Sequence, residues 1–198
     1  MPVTYTNRKG VTYYLRRTVT KTGKPRYAFA REPEGELVEQ IPEGWHISES
    51  VNGIVSLVKD RPAQILPQEV AAVEAVVAQH PKSHNYRVGV KRNRIEVYER
   101  TGPDVEDLLA DLAKMGLGVL QRPDRLRDLR AEMDRWAQFT PVLRFILADA
   151  EQRTFRTERW CYLGSIDDWI DVHQQGPVER LARQWIPRLG TDAFFEWY

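Results

Sequence analysis

Residues 11–20 read VTYYLRRTVT, with Val11, Tyr13, Leu15, Arg17 and Val19 on one side of a two-residue period and Thr12, Tyr14, Arg16, Thr18 and Thr20 on the other. Alternation of this kind, in a run rich in β-branched and aromatic residues, is a strand pattern. KTGK follows, where Gly23 can take a positive φ, and Pro25 marks the start of a return strand, RYAFA. Residues 11–30 are therefore expected as an antiparallel hairpin.

The neighbouring segments extend the β reading. EGELVEQIPEG reads as a short strand closed by a turn, and WHISESVNGIVSLVKD as a second hairpin with Asn52-Gly53 in a type I′ turn. RPAQILPQ interrupts the pattern with two prolines, which places a boundary near residue 62 between a β-rich module, 1–62, and a body, 63–198.

In the body, Pro67 opens a helix with Val70, Val73 and Val77 on one stripe, and YRVGVKRNRIEVYE is a hairpin turning at Arg92-Asn93. TGPDVEDLLADLAKMG is a helix opened by Pro103, buried through Val105, Leu108, Leu109 and Leu112, and ended by Gly116. A further helix, PDRLRDLRAEMDRWAQF, puts Leu126, Leu129, Met133 and Trp136 on its apolar side. PVLRFILAD is a central strand with RTFRTERWCYLG returning beside it. IDDWIDVHQQ reads as a helix capped by Ser165 and Asp168, and VERLARQWIPRL as the last one. The terminal FFEWY is expected to dock on the body or to pair two copies in a homodimer, because an exposed aromatic tail is a sticky patch. The fold class is α+β: a small N-terminal module of antiparallel hairpins and a mixed helix and antiparallel-sheet body.

Several function classes lose support at this level. The single Cys161 makes no internal disulfide, no apolar run approaches the ~20 residues of a membrane span, and the N-terminus lacks the apolar core of a signal peptide. A soluble cytoplasmic protein without a membrane partner is the expectation. His46, His80, His84 and His173 fall in no zinc spacing, so neither a metal nor a cofactor is expected. No GxSxG, P-loop or GxGxxG run is present. Asp149, Asp168, Asp171 and His173 are the catalytic candidates, because clustered carboxylates could hold Mg²⁺ for a nuclease or phosphodiesterase. The competing reading is that Asp167 and Asp168 sit in the first turn of a helix, where acids are favourable without catalysis.

Charge distribution points elsewhere. The chain has 29 bases and 28 acids, yet residues 1–31 hold Arg8, Lys9, Arg16, Arg17, Lys21, Lys24, Arg26 and Arg31 and no carboxylate. Glu32, Glu34, Glu36, Glu39, Glu43 and Glu49 follow, and a second acid-free basic stretch carries Lys82, Arg87, Lys91, Arg92 and Arg94. Bases neutralise phosphates, and Tyr and Phe can stack on unpaired bases. A non-catalytic protein that binds DNA or RNA is the leading reading, with Arg16, Arg17, Lys21, Lys24, Arg26, Arg92 and Arg94 on phosphates and Tyr14 and Tyr27 stacking or positioning. The alternative is an interaction or assembly module for an acidic protein partner. The simplest account is that the glutamates of 32–49 neutralise the basic strands across the fold.

YTNRKGVTYYLRRTVTKTGKPRY resembles the opening module of a group of uncharacterised bacterial proteins that begin with a Tyr- and basic-rich hairpin containing TKTGKPRY. The likeness covers residues 4–31 and implies a bacterial origin and a recurrent module, with no mechanism attached. A looser similarity, to the three-stranded sheet domains with which phage-type integrases grip arm sites, breaks at an acidic third strand and the lack of a recombinase catalytic set.

Overall fold

In the computed structural model, which describes residues 1–115, 122–162 and 167–196, the alternating run folds as the expected hairpin. In chain order the strands are β1 (Thr4–Thr6), β2 (Thr12–Val19), β3 (Pro25–Ala30), β4 (Glu36–Leu37), β5 (Trp45–Glu49), β6 (Val55–Lys59), β7 (Tyr86–Lys91), β8 (Arg94–Arg100), β9 (Phe139–Asp149), β10 (Thr154–Cys161) and β11 (Asp168–Gly176). The helices are α1 (Pro67–Ala78), α2 (Val105–Lys114), α3 (Pro123–Trp136) and α4 (Val178–Trp185). The fold is α+β, and its sheets are antiparallel throughout. Two compact units divide it: Met1–Pro62 with Val105–Ala137, and Ala63–Asp104 with Gln138–Tyr198.

In the first unit β2 is the axis. β3 pairs with one edge of it, while β1 and β4 pair with successive stretches of the other. Leu15 is fully buried opposite Phe29, and the same face brings the Tyr27 ring to 6.4 Å from Trp45 of the β5–β6 hairpin. Tyr5, also on this face, donates to Glu49 at 2.9 Å.

One turn design closes three hairpins here, at Asn7–Val11, Thr20–Lys24 and Ser50–Ile54. The fourth residue is glycine in each, at φ 75°, 77° and 76°, and its N–H donates to the carbonyl of the first. The first residue's side-chain oxygen accepts the N–H of the fifth, at 3.0, 3.1 and 3.1 Å. This is a type I turn followed by one left-handed residue. The type I′ expectation for Asn52-Gly53 is thereby corrected: Gly53 has positive φ and Asn52 does not. A polar first residue that holds the fifth N–H makes the three-residue loop the better solution.

The second unit is a five-stranded meander in the order β11-β10-β9-β8-β7, with β9 central as its apolar run predicts. α1, α4 and the following turn pack on one face over Ile95, Val97, Leu143, Phe145 and Phe155. Pro141 is tolerated in a central strand because the β8–β9 register shifts where it faces Tyr98. Residues 105–137 leave between β8 and β9, and Thr101 N–H donates to the Gln138 carbonyl at 2.8 Å where they depart and return.

Two expectations fail. IDDWIDVHQQ supplies strand β11, not a helix: its β-branched and aromatic residues pair with β10, Trp169 opposite Trp160 and Asp171 opposite Glu158. Pairing and the edge-to-face contact of those tryptophans, with centroids 5.3 Å apart, outweigh the helix-start acids. Trp136 is 53% exposed and donates to Glu132 at 2.8 Å, so α3 buries less than its pattern suggests. Phe194 is buried beside Trp185 in the chain's own core, whereas Trp197 and Tyr198, with Gly116 and Ser165, lie outside the described residues. Among the described residues no helix is long and apolar enough to cross a membrane.

Candidate nucleic-acid interface

Register fixes which bases of the hairpin act together. Thr18 stands opposite Arg26 and Arg16 opposite Ala28, which places Tyr14, Arg16, Thr18, Arg26, Ala28 and Ala30 on one face of the β2–β3 ribbon. The other face carries Leu15, Arg17, Val19, Pro25, Tyr27 and Phe29. Residues 17–19 and 21–26 are exposed, so the end of the ribbon stands clear of the sheet beneath it. Thr18 donates to the Arg26 carbonyl at 3.2 Å, and the turn places Lys21 and Lys24 at the tip.

The glutamates of 32–49 do little to neutralise these bases. Glu36 binds Arg17 at 3.1 Å, Glu39 binds the chain's N-terminus at 3.5 Å, and Glu49 accepts from Tyr5 and the Arg8 N–H. Among the described residues Arg16, Lys21, Lys24 and Arg26 form no ion pair. Arg16 is half-buried, and its Nε is shielded from solvent without a hydrogen-bond partner.

The remaining candidates separate. Tyr27 packs on Trp45, and Tyr14 is half-buried between Thr4 and Ala30 at the base of the ribbon. Arg8 and Lys9 belong to the Asn7 turn. There Arg8 donates to the carbonyls of Asp134 and Ala137 at 3.2 and 2.9 Å. Burial, with Arg8 and Arg31 near, holds the Lys9 ammonium below its ordinary pKa. Arg92 and Arg94 belong to the second unit. Arg92 is exposed, but Arg94 binds Glu96 at 2.7 Å. Glu96 is buried, and Lys91 and Tyr98 also reach it, at 3.1 and 2.5 Å.

The carboxylates considered for metal chemistry do not converge. Asp149 pairs with the Thr154 end of β10 and Asp168 with its Cys161 end, roughly 23 Å apart at strand rise. Asp149 accepts the N–H groups of Glu151 and Gln152, and Asp171 holds the His173 N–H and Arg156. Exposed His173 takes φ 55° within the irregular β10–β11 pairing. Among the described residues no three His, Cys, Asp or Glu side chains are placed to hold a metal ion. Cys161 is buried, as its apolar surroundings predict.

One feature of the second unit has no sequence signal: a cleft of about 430 Å³ lined by His80, Tyr86, Glu99, Asp104 and Gly190 among others. Its acid–base groups hold one another. His80 Nδ1 accepts the Lys82 N–H at 3.1 Å, so its Nε2–H donates to the Leu189 carbonyl at 3.2 Å. Tyr86 donates to Glu99 at 3.0 Å, and burial followed by the Glu99 charge raises the phenol's pKa. Asp104 takes Lys82, His84 and Asn85.

Comparison with protein-family models, with curated proteins and with solved structures finds nothing that matches this chain.

Proposed function

We propose that this is a cytoplasmic, non-catalytic nucleic-acid-binding protein whose binding element is the β2–β3 ribbon. What supports the reading is the pairing pattern: among the described residues the ribbon keeps Arg16, Lys21, Lys24 and Arg26 without a carboxylate partner, although six glutamates follow between residues 32 and 49. Cations that the fold leaves unanswered on a projecting element are available to phosphates. In the second basic hairpin Arg94 and Lys91 serve buried Glu96.

Binding to labelled DNA single strands, DNA duplex and RNA, measured by fluorescence polarisation, tests this. Engagement of these four cations gives a salt slope of roughly −3 to −4, a loss of about a hundredfold between 50 and 200 mM salt. Lys21→Glu/Lys24→Glu/Arg26→Glu, all exposed, abolishes binding while the circular dichroism spectrum is unchanged. Failure of the wild type to bind any of the three removes the reading and directs attention to an acidic protein partner.

A further inference from the structure

We infer that the ribbon enters the major groove of duplex DNA and reads it with the exposed end of the face bearing Thr18 and Arg26, a step that rests on the nucleic-acid reading above. Three observations select a groove over a single strand.

The first is shape. From residue 17 to residue 26 the ribbon is exposed apart from half-buried Thr20. Two strands lie ~4.8 Å apart, and with side chains they match the ~12 Å major groove and exceed the ~6 Å minor one. The deep, narrow major groove of duplex RNA excludes them.

The second is side-chain chemistry. On the reading face exposed Arg26 stands opposite the smaller Thr18. The guanidinium fork matches guanine O6 and N7, and the Thr methyl meets the thymine methyl. Lys21 and Lys24 at the tip are point charges suited to phosphates. The opposite face is occupied at its base, where Arg17 is held by Glu36 and Tyr27 packs on Trp45, and at its end it carries apolar Val19 and Pro25, which have no charge for a phosphate and no donor for a base edge.

The third concerns stacking. Single strands are gripped by aromatic rings with an open face. Here Tyr27 is engaged by Trp45, Phe29 stands beside Leu15 on the packed face, and Tyr14 is half-buried at the ribbon's base.

The test uses a short random-sequence DNA duplex, its separated strands and an RNA duplex of equal length, bound in parallel. DNA duplex is expected to bind about tenfold or more tightly than the others. Methylation of guanine N7 weakens it about tenfold, and a minor-groove ligand does not displace the protein. Arg26→Ala weakens duplex binding about tenfold and reduces the N7 effect; Lys21→Ala/Lys24→Ala preserves the N7 effect and makes the salt slope shallower by about two. Preference for single strands or RNA, displacement by the minor-groove ligand, or indifference to N7 methylation overturns the groove assignment and leaves the nucleic-acid proposal standing. Absence of binding to every probe overturns both.

Discussion

Asn7→Ala should destabilise the first unit far more than Ser50→Ala, although both remove the first side chain of the same turn. Asn7 is 5% exposed. Its Oδ1 accepts the N–H groups of Lys9 and Val11, both at 3.0 Å, and its Nδ2 donates to the Gly53 carbonyl at 2.6 Å. Truncation deprives three backbone groups of a partner in a place where water has little access. At about 1 kcal/mol for each, the expected cost is about 3 kcal/mol. Ser50 is exposed, and its Oγ accepts only the Ile54 N–H, which water can replace, so about 0.5 kcal/mol is expected. Urea denaturation followed by tryptophan fluorescence measures both, read as a midpoint change at constant slope. If Asn7→Ala falls within about 1 kcal/mol of Ser50→Ala, buried hydrogen bonding does not hold these turns together and the reasoning fails.

Other measurements probe the second unit. Burial pushes the Glu96 carboxyl up, but hydrogen bonds from Tyr98, Arg94 and Lys91 outweigh it and hold the pKa below its usual value. Its contribution is therefore full above about pH 4.5 and is lost as pH falls through the lower folded pKa. Glu96→Gln should cost about 2 kcal/mol near pH 7, less than a wholly buried pair because Arg94 and Lys91 can rehydrate, and the gap to wild type should close on acidification. A gap that widens below pH 4 contradicts the assignment. Burial raises the Tyr86 and Tyr98 phenols, with Glu99 and Glu96 adding to it, so their contribution is intact below about pH 10 and is lost as pH rises toward the raised folded values. Absorbance titration at 295 nm should leave both un-ionised near pH 11, with Tyr86→Phe and Tyr98→Phe each removing part of the resistant fraction; one uniform transition near 10 would refute this.

What could be read in advance follows from how local each signal is. The β2–β3 hairpin, the Arg92-Asn93 turn and the central position of β9 rest on alternation, turn residues and a run of apolar residues, all visible within a short window. β11 carries a misleading local signal, since Asp167 and Asp168 resemble a helix start, while the deciding partners, Trp160 and Glu158 on β10, are supplied by a neighbouring strand. Trp136 follows helical spacing on α3, yet spacing alone does not bring an apolar surface to cover it. For the candidate site, the charge block was legible and its division into faces was not. Arg17 and Arg16 are adjacent in sequence and point to opposite sides, and only the register shows Arg17 against Glu36 and Arg16 beside Ala28.

A net charge near zero hides this surface because six of the thirteen bases in the second unit answer carboxylates that the fold has taken out of water. Buried Glu69 holds Arg153, Glu96 holds Lys91 and Arg94, Glu158 holds Arg144 and Arg156, and Asp104, 9% exposed, holds Lys82. An ionised carboxylate in such a place requires a partner, so these bases are structural and unavailable to a ligand. Among the described residues of the first unit no carboxylate is buried, so none makes this demand of the ribbon's tip. Its bases therefore serve no folding requirement, and they raise repulsion among themselves, which is unfavourable unless an external anion relieves it. Two basic stretches of the sequence thus separate by what burial demands: Arg94 completes a core, and Arg26 stays exposed without a carboxylate partner.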